Sequence, residues 1–199
     1  MSRKLTLDDI ADMRAYERER AEFRRHVIDL KRRRRVSVGP HITFVFENRD
    51  TIRFQIQEMA RVERLYSDAQ IEHELHVYNP LIPEPGELSA TMFLELTSEA
   101  QLREWLPKLV GIERSVVLRV GEGERLVTIP LDVDVDHAEQ LTREDVTSAV
   151  HYLHATLTSA DIDRIAAGPV VLGIDHPAYR HETALDAETV SELLTDLGS

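Results

Sequence analysis

The sequence predicts an α+β fold in which N-terminal helices pack on a mixed β-sheet carrying two β-α-β-like units. Three observations predict it. Apolar residues recur at helical spacing through most of the first 80 residues. Strict alternation appears first in HITFVFEN (41–48). Two later stretches, 89–120 and 148–174, share one order of strand, Thr/Ser cap, helix, glycine and strand. Residues 1–199 therefore read as a single α+β domain, mainly helical over 1–80 and sheet-rich over 89–199.

The elements follow in order. Thr6 caps a helix beginning TLDDIADM, with Asp8 and Asp9 in its first turn. A longer helix runs from about Tyr16 to Arg34, with Tyr16, Phe23, Val27 and Leu30 near one face, and Gly39-Pro40 stops it. The strand at 41–48 turns Ile42, Phe44 and Phe46 to one side. After the turn Asn48-Arg49-Asp50, helices at 52–66 and 69–79 break near Ser67-Asp68 and pack as an antiparallel pair. NPLIPEPGE (79–87), with three prolines and a glycine, is an ordered loop.

In the second half, Ser89-Ala90 matches Ser148-Ala149, Phe93-Leu94 matches Tyr152-Leu153, and Thr97-Ser98 matches Thr158-Ser159. Taken by itself, TREDVTSAVHYLHATL also fits a helix with a Thr142 to Asp145 capping box. The internal match favours a strand over 148–156, preceded by a turn or short helix. RLVTIPLDV (125–133) is a further strand, joined to 114–120 by the hairpin turn Gly121-Glu122-Gly123-Glu124. The tail from Asp186 to Leu197 is an amphipathic helix, with Val190, Leu193, Leu194 and Leu197 inward.

Composition excludes several chemistries. Without cysteine there is no disulfide, thiolate nucleophile or cysteine-ligated cluster, so any metal must be held by His, Asp, Glu or water. No segment resembles a signal peptide or membrane span, and a cytoplasmic protein is the expectation. The net charge is −12. Residues 1–36 hold 12 Lys or Arg against 7 Asp or Glu, which is +5 and leaves −17 on the remainder. That balance argues against general nucleic-acid binding. The run Arg32, Arg33, Arg34 and Arg35 is either a local anion site or the counterpart of the acidic remainder.

No motif names a reaction. His73-Glu74 starts like a zincin helix, but position 77 is Val. Asp132, Asp134 and Asp136 start like a calcium loop, but His137 replaces the glycine and Arg143 the closing acid. There is no P-loop, dinucleotide fingerprint or nucleophile elbow.

Helical phasing singles out a few acids. On a helix over 52–66, Glu63 falls among Ile52, Ile56, Met59 and Tyr66, with Glu58 on the flank. On a helix over 69–79, Glu74 lies at the edge of the Ile71, Leu75 and Tyr78 face, while His73 and His76 point away. A buried carboxylate needs a partner. That partner is either an arginine such as Arg33, Arg34 or Arg53, or a metal (iron, manganese or zinc) held by Glu63, Glu74 and Glu58, with His176 as a further ligand. His176 lies at a strand end before Pro177, where hydrogen bonding to a loop is the competing role. His151 and His154 fall on opposite faces of their strand and do not chelate together.

The segments RRRRVSVGPHITFVFENRDTIRFQIQEMARVER, IEHELHVYNPLIPEPGELSATMFLE and DHPAYRHE together resemble DUF3501, a family of uncharacterised bacterial proteins. The resemblance spans nearly the whole chain. It implies no specific activity. It implies a genomic neighbourhood of rubrerythrin-like proteins and iron–sulfur oxidoreductases, and from it an accessory role in redox or oxidative-stress physiology with such a protein as partner.

Overall fold

The computed structural model describes residues 3–133 and 146–198. A one-turn 3-10 helix, Leu7–Asp9, leads into α1 (Met13–Arg34). Then come β1 (Arg35–Val38), β2 (Ile42–Phe46), α2 (Arg49–Glu63) and α3 (Asp68–Tyr78). They are followed by β3 (Glu87–Leu94), α4 (Glu99–Trp105), β4 (Val116–Val120), β5 (Val127–Pro130) and β6 (Asp132–Val133). The chain closes with β7 (Val150–Thr156), α5 (Ser159–Ala167), β8 (Val170–His176), β9 (Tyr179–Ala184) and α6 (Ala187–Gly198). The α+β class predicted from sequence is the one observed. The Asp134–Arg143 part of the calcium-like stretch and the Thr142 to Asp145 box lie outside the described residues.

The strands form two sheets, ordered β1-β2-β3-β7-β6 and β5-β4-β8-β9, and every pairing is antiparallel. This corrects the expected mixed sheet. A β-α-β unit that returns to its own sheet makes parallel neighbours and needs a long crossover. Here β3-α4-β4 and β7-α5-β8 each leave one sheet and enter the other. Helices of 7 and 9 residues serve the crossing, since a rise of 1.5 Å per residue covers about 10 Å, the usual gap between packed sheets. The repeat is real as architecture: β3 pairs with β7, and β4 with β8, so each unit finds its neighbours in the other. Ser98 and Thr158, taken from the matched Thr/Ser pairs, cap α4 and α5 through the side chains of Gln101 and Asp161 in capping boxes.

Apolar residues of both sheets fill one core, including Phe44, Met92, Ile112, Leu118, Leu153 and Leu172. Leu193 and Leu197 of α6 join it. All five residues of β2 are buried. Ile42, Phe44 and Phe46 face the other sheet, and Thr43 and Val45 are turned to the opposite face, which α1 covers. A second cluster of Leu5, Ile52, Ile56, Leu75, Leu81 and Ile82 binds α2 and α3 to the start of the chain.

The single strand expected over 125–133 is split into β5 and β6, which lie in different sheets. Two further strands depart from the sequence reading. Gly39-Pro40 does not stop α1, which ends at Arg34; it turns the β1–β2 hairpin. Val36 and Val38 alternate inward with Arg35 and Ser37 outward, a four-residue signal too short to separate from the helix before it. Asp175-His176-Pro177 is likewise followed by a strand, β9, which pairs with β8 from Val171↔Ala184 to His176↔Tyr179.

Candidate functional site

α1 is held by Asp12, whose Oδ1 accepts from the backbone N–H groups of Arg14 and Ala15, both at 2.9 Å. Its inner face buries Tyr16, Val27, Leu30 and Arg34. Its outer face is different. Arg14, Arg18, Arg25 and Arg32 are all exposed, and at about 100° per residue their spacing of four, seven and seven places them along one line of the helix. Among the described residues Arg14 and Arg18 form no ion pair, and Arg32 stands 3.6 Å from an exposed Asp29.

The inward-turned arginines are spent on structure. Arg20 grips Glu58 with two bonds of 2.7 and 2.8 Å, and the Tyr16 hydroxyl donates to the same carboxylate at 2.6 Å. The Arg20 bonds, helped by Tyr16, outweigh burial and hold Glu58 below the usual glutamate range. Burial, then the bond to Glu58, pushes the Tyr16 hydroxyl far up. Arg53 reaches Glu19 at 3.0 Å while lying 4.7 Å over the Phe23 ring, and Arg61 reaches Glu17 at 2.6 Å. These pairs zip α1 to α2.

Beside the N-terminal end of the arginine row is a groove of about 450 Å³ between α1, α2 and α3. Leu7, Ile10, Met13, Ala60, Leu65 and Ile71 give it apolar walls, and Arg14 belongs to both groove and row. Tyr66, also in its lining, is 72% exposed.

The sequence-derived ligand set does not assemble. Among the described residues no group of three or more His, Asp or Glu is placed to hold a metal. Glu58 is in the cluster just described. Glu63 is exposed, contrary to its predicted place on the apolar face. Glu63 keeps the angular position of Ile56 but is the last residue of α2, where nothing among the described residues covers the final turn; Arg64 then takes the left-handed conformation (φ 58°), so only the residues after it lose the helical phase, and Tyr66 is left outward. Glu74 is half-buried; burial first, and then the charge of Glu63, push its carboxyl up. Neither finds an arginine among the described residues. His176 has both ring nitrogens engaged: Nε2 donates to Val110 O at 3.2 Å, and Nδ1 accepts from Ala178 N–H at 3.2 Å. It ties a loop to the β8–β9 turn. His73 and His76 are exposed, and His151 and His154 fall on opposite faces, as expected.

The basic run divides along the chain. Arg34 is 1% exposed and pairs with Asp196 and Glu192 of α6, and Arg33 donates to Glu192 at 2.6 Å. Arg35 meets Glu95 at 3.4 Å. Only Arg32 keeps a largely exposed charge with a weak partner, so the run pairs with the acidic remainder and presents no four-arginine anion cradle. The row that does face outward draws one residue from the run and three from earlier turns of α1.

Phasing also passed over two buried polar residues. Glu113, in the 3-10 turn Ile112–Ser115, is 5% exposed, and His151 on β7 is 1% exposed. An acid directly after Ile112 at a strand entrance carries no sequence signal that separates it from a surface residue.

No curated protein matches this chain. The crystal structure of a protein of unknown function from Burkholderia pseudomallei K96243 is 36% identical, covering 98% of this chain and 99% of its own, with a TM-score of 0.88. The DUF3501 family, described as a protein of unknown function, matches residues 4–197, and the chain belongs to that family.

Proposed function

We propose that the protein is an accessory component that docks an acidic, amphipathic segment of a partner protein on its helical layer. The single observation carrying this reading is the row Arg14, Arg18, Arg25 and Arg32, exposed on one line of α1 in a chain of net charge −12. A charge row of one sign on an oppositely charged protein selects its partner by complementarity and speeds encounter. The apolar groove at the Arg14 end suits an anchoring side chain of the same segment. The first partners to test are those that the family resemblance implies, a rubrerythrin-like protein or an iron–sulfur oxidoreductase.

The test is binding of each purified partner at low and high salt, by wild type and by the triple variant R14E/R18E/R25E. Wild type binds at low salt and weakens steeply as salt rises, because exposed charges are screened beyond about 10 Å at 0.1 M. The charge-reversed variant loses at least tenfold in affinity. Binding equal in the variant and the wild type would refute the surface, and binding by neither partner would refute the redox assignment.

A further inference from the structure

The arginine row of α1 is part of a longer pattern. Between its members lie Ala21 and Ile28, both exposed, Ile28 at 45%. Arg14, Arg18, Ala21, Arg25, Ile28 and Arg32 follow one another at steps of four, three, four, three and four. At about 100° per residue, that spacing keeps all six within an arc of about 80°. Tyr16, Val27, Leu30 and Arg34, the buried residues of α1, centre on the opposite side of the helix. The seam therefore points straight out from the fold, and it runs for about 27 Å at the rise of an α-helix.

Alternating steps of three and four are the spacing at which one helix seats a second along its length. The small Ala21 and the apolar Ile28 let a neighbouring backbone come close, and the arginines on either side reach past it. An extended segment would gain no ladder here, because the backbone groups of α1 between its ends are bonded within the helix. A helix arrives with its own backbone groups already satisfied. The seam also excludes a second copy of α1. Two such helices, parallel or antiparallel, would bring eight arginines into one interface with no acid in either seam, and like charges repel. The nearby acids sit on the flanks, where Glu17 is held by Arg61 at 2.6 Å and Asp29 stands 3.6 Å from Arg32.

We propose that the occupant of this seam is a single acidic α-helix of a partner protein, about three heptads long, in which acidic and apolar residues follow one another at steps of three and four. Its acids meet the four arginines, and its apolar residues cover Ala21 and Ile28. This rests on the docking reading above and deepens it: that reading asks for an acidic amphipathic segment, and the seam sets its conformation, length and spacing.

The experiment measures binding of labelled synthetic peptides to the full-length protein by fluorescence anisotropy at low salt. The first peptide, of about three heptads, carries Glu and Leu along one face at steps of three and four, with Ala and Gln elsewhere. The second has the same composition with its Glu residues spread around the helix. The third is the first with a central proline, which breaks the helix. Wild type binds the first peptide at least tenfold more tightly than the second or the third. Arg25→Glu, on the seam, weakens the first peptide at least tenfold. Arg24→Glu, at an exposed position about 80° off the seam, leaves its affinity within about threefold of wild type. The two variants carry the same charge, so the comparison separates position from net charge. Both side chains are exposed, so both variants melt as wild type does. Equal binding of the first and second peptides, binding of none of them, or equal losses in Arg24→Glu and Arg25→Glu overturns the helical seam. The docking reading stands apart from those outcomes: it falls only when the purified partners fail to distinguish wild type from R14E/R18E/R25E.

Discussion

Arg34 and Asp196, 162 residues apart, meet inside the protein through two hydrogen bonds of 2.6 and 3.0 Å. With Glu192 they lock the last helix onto the first. Removing one partner of such a pair leaves buried charge uncompensated, at a cost of about 3–5 kcal/mol. Arg34→Met is expected to lose that much in urea unfolding at neutral pH. The double variant Arg34→Met/Asp196→Leu recovers most of it, because Glu192 still has Arg33. Equal losses in both variants would show that packing, and not charge, is what the pair supplies.

The β1–β2 hairpin rests on one hydroxyl. Tyr179 Oη donates to Val38 O at 2.8 Å and accepts from His41 N–H at 3.0 Å. Tyr179→Phe leaves both backbone groups without this partner and is expected to cost about 1–3 kcal/mol. Gly39, at φ +70°, has Tyr179 Oη only 2.5 Å from where a Cβ would sit. Gly39→Ala therefore combines left-handed strain of about 1–3 kcal/mol with a clash against a hydroxyl that cannot move freely. Hydrogen exchange at residues 36–45 is the site-resolved check, and unchanged protection in Gly39→Ala would contradict it.

Acid sensitivity follows from two carboxylates. Glu58 is held below its ordinary value by Arg20 and Tyr16. Burial pushes Glu192 up, but Arg33 and Arg34 together outweigh it and leave it lowered. A lowered folded-state pKa means the unfolded chain binds protons first as pH falls, so stability is full above the unfolded glutamate value and declines below it. The free energy of unfolding is thus flat near neutrality and falls below about pH 4.5. Glu58→Gln should flatten part of that acid limb while lowering stability at pH 7. An unchanged limb in Glu58→Gln and Glu192→Gln would refute the assignment.

Glu74 has the opposite sign. Its carboxyl is raised by burial and then by Glu63, so its charged form costs stability above the folded value, and that cost is relieved as pH falls. Glu63→Gln removes the repulsion and is expected to stabilise the protein at pH 7 by up to about 0.5 kcal/mol, small because solvent screens an exposed acid. Glu63→Gln less stable than wild type would mean that Glu63 has a favourable partner in solution.

Local order was legible in the residues themselves. The periodicity of α1, α2, α3 and α6, the caps at Ser98 and Thr158, and the strand–helix–strand repeat all arise from contacts within a few residues, where spacing and turn chemistry suffice. The absence of cysteine and the opposite charges of residues 1–36 and the remainder were equally plain. Which sheet each strand enters was not, because a β-α-β pattern reads the same whether the helix returns to its own sheet or crosses to another. Nor was the fate of particular charges. Glu63 stayed exposed because α2 ends on it at the left-handed Arg64, and Arg34 became a core residue because α6 brought Asp196 to it. Each outcome depends on whether segments far apart in the chain meet, and such contacts exist only once the layers have packed.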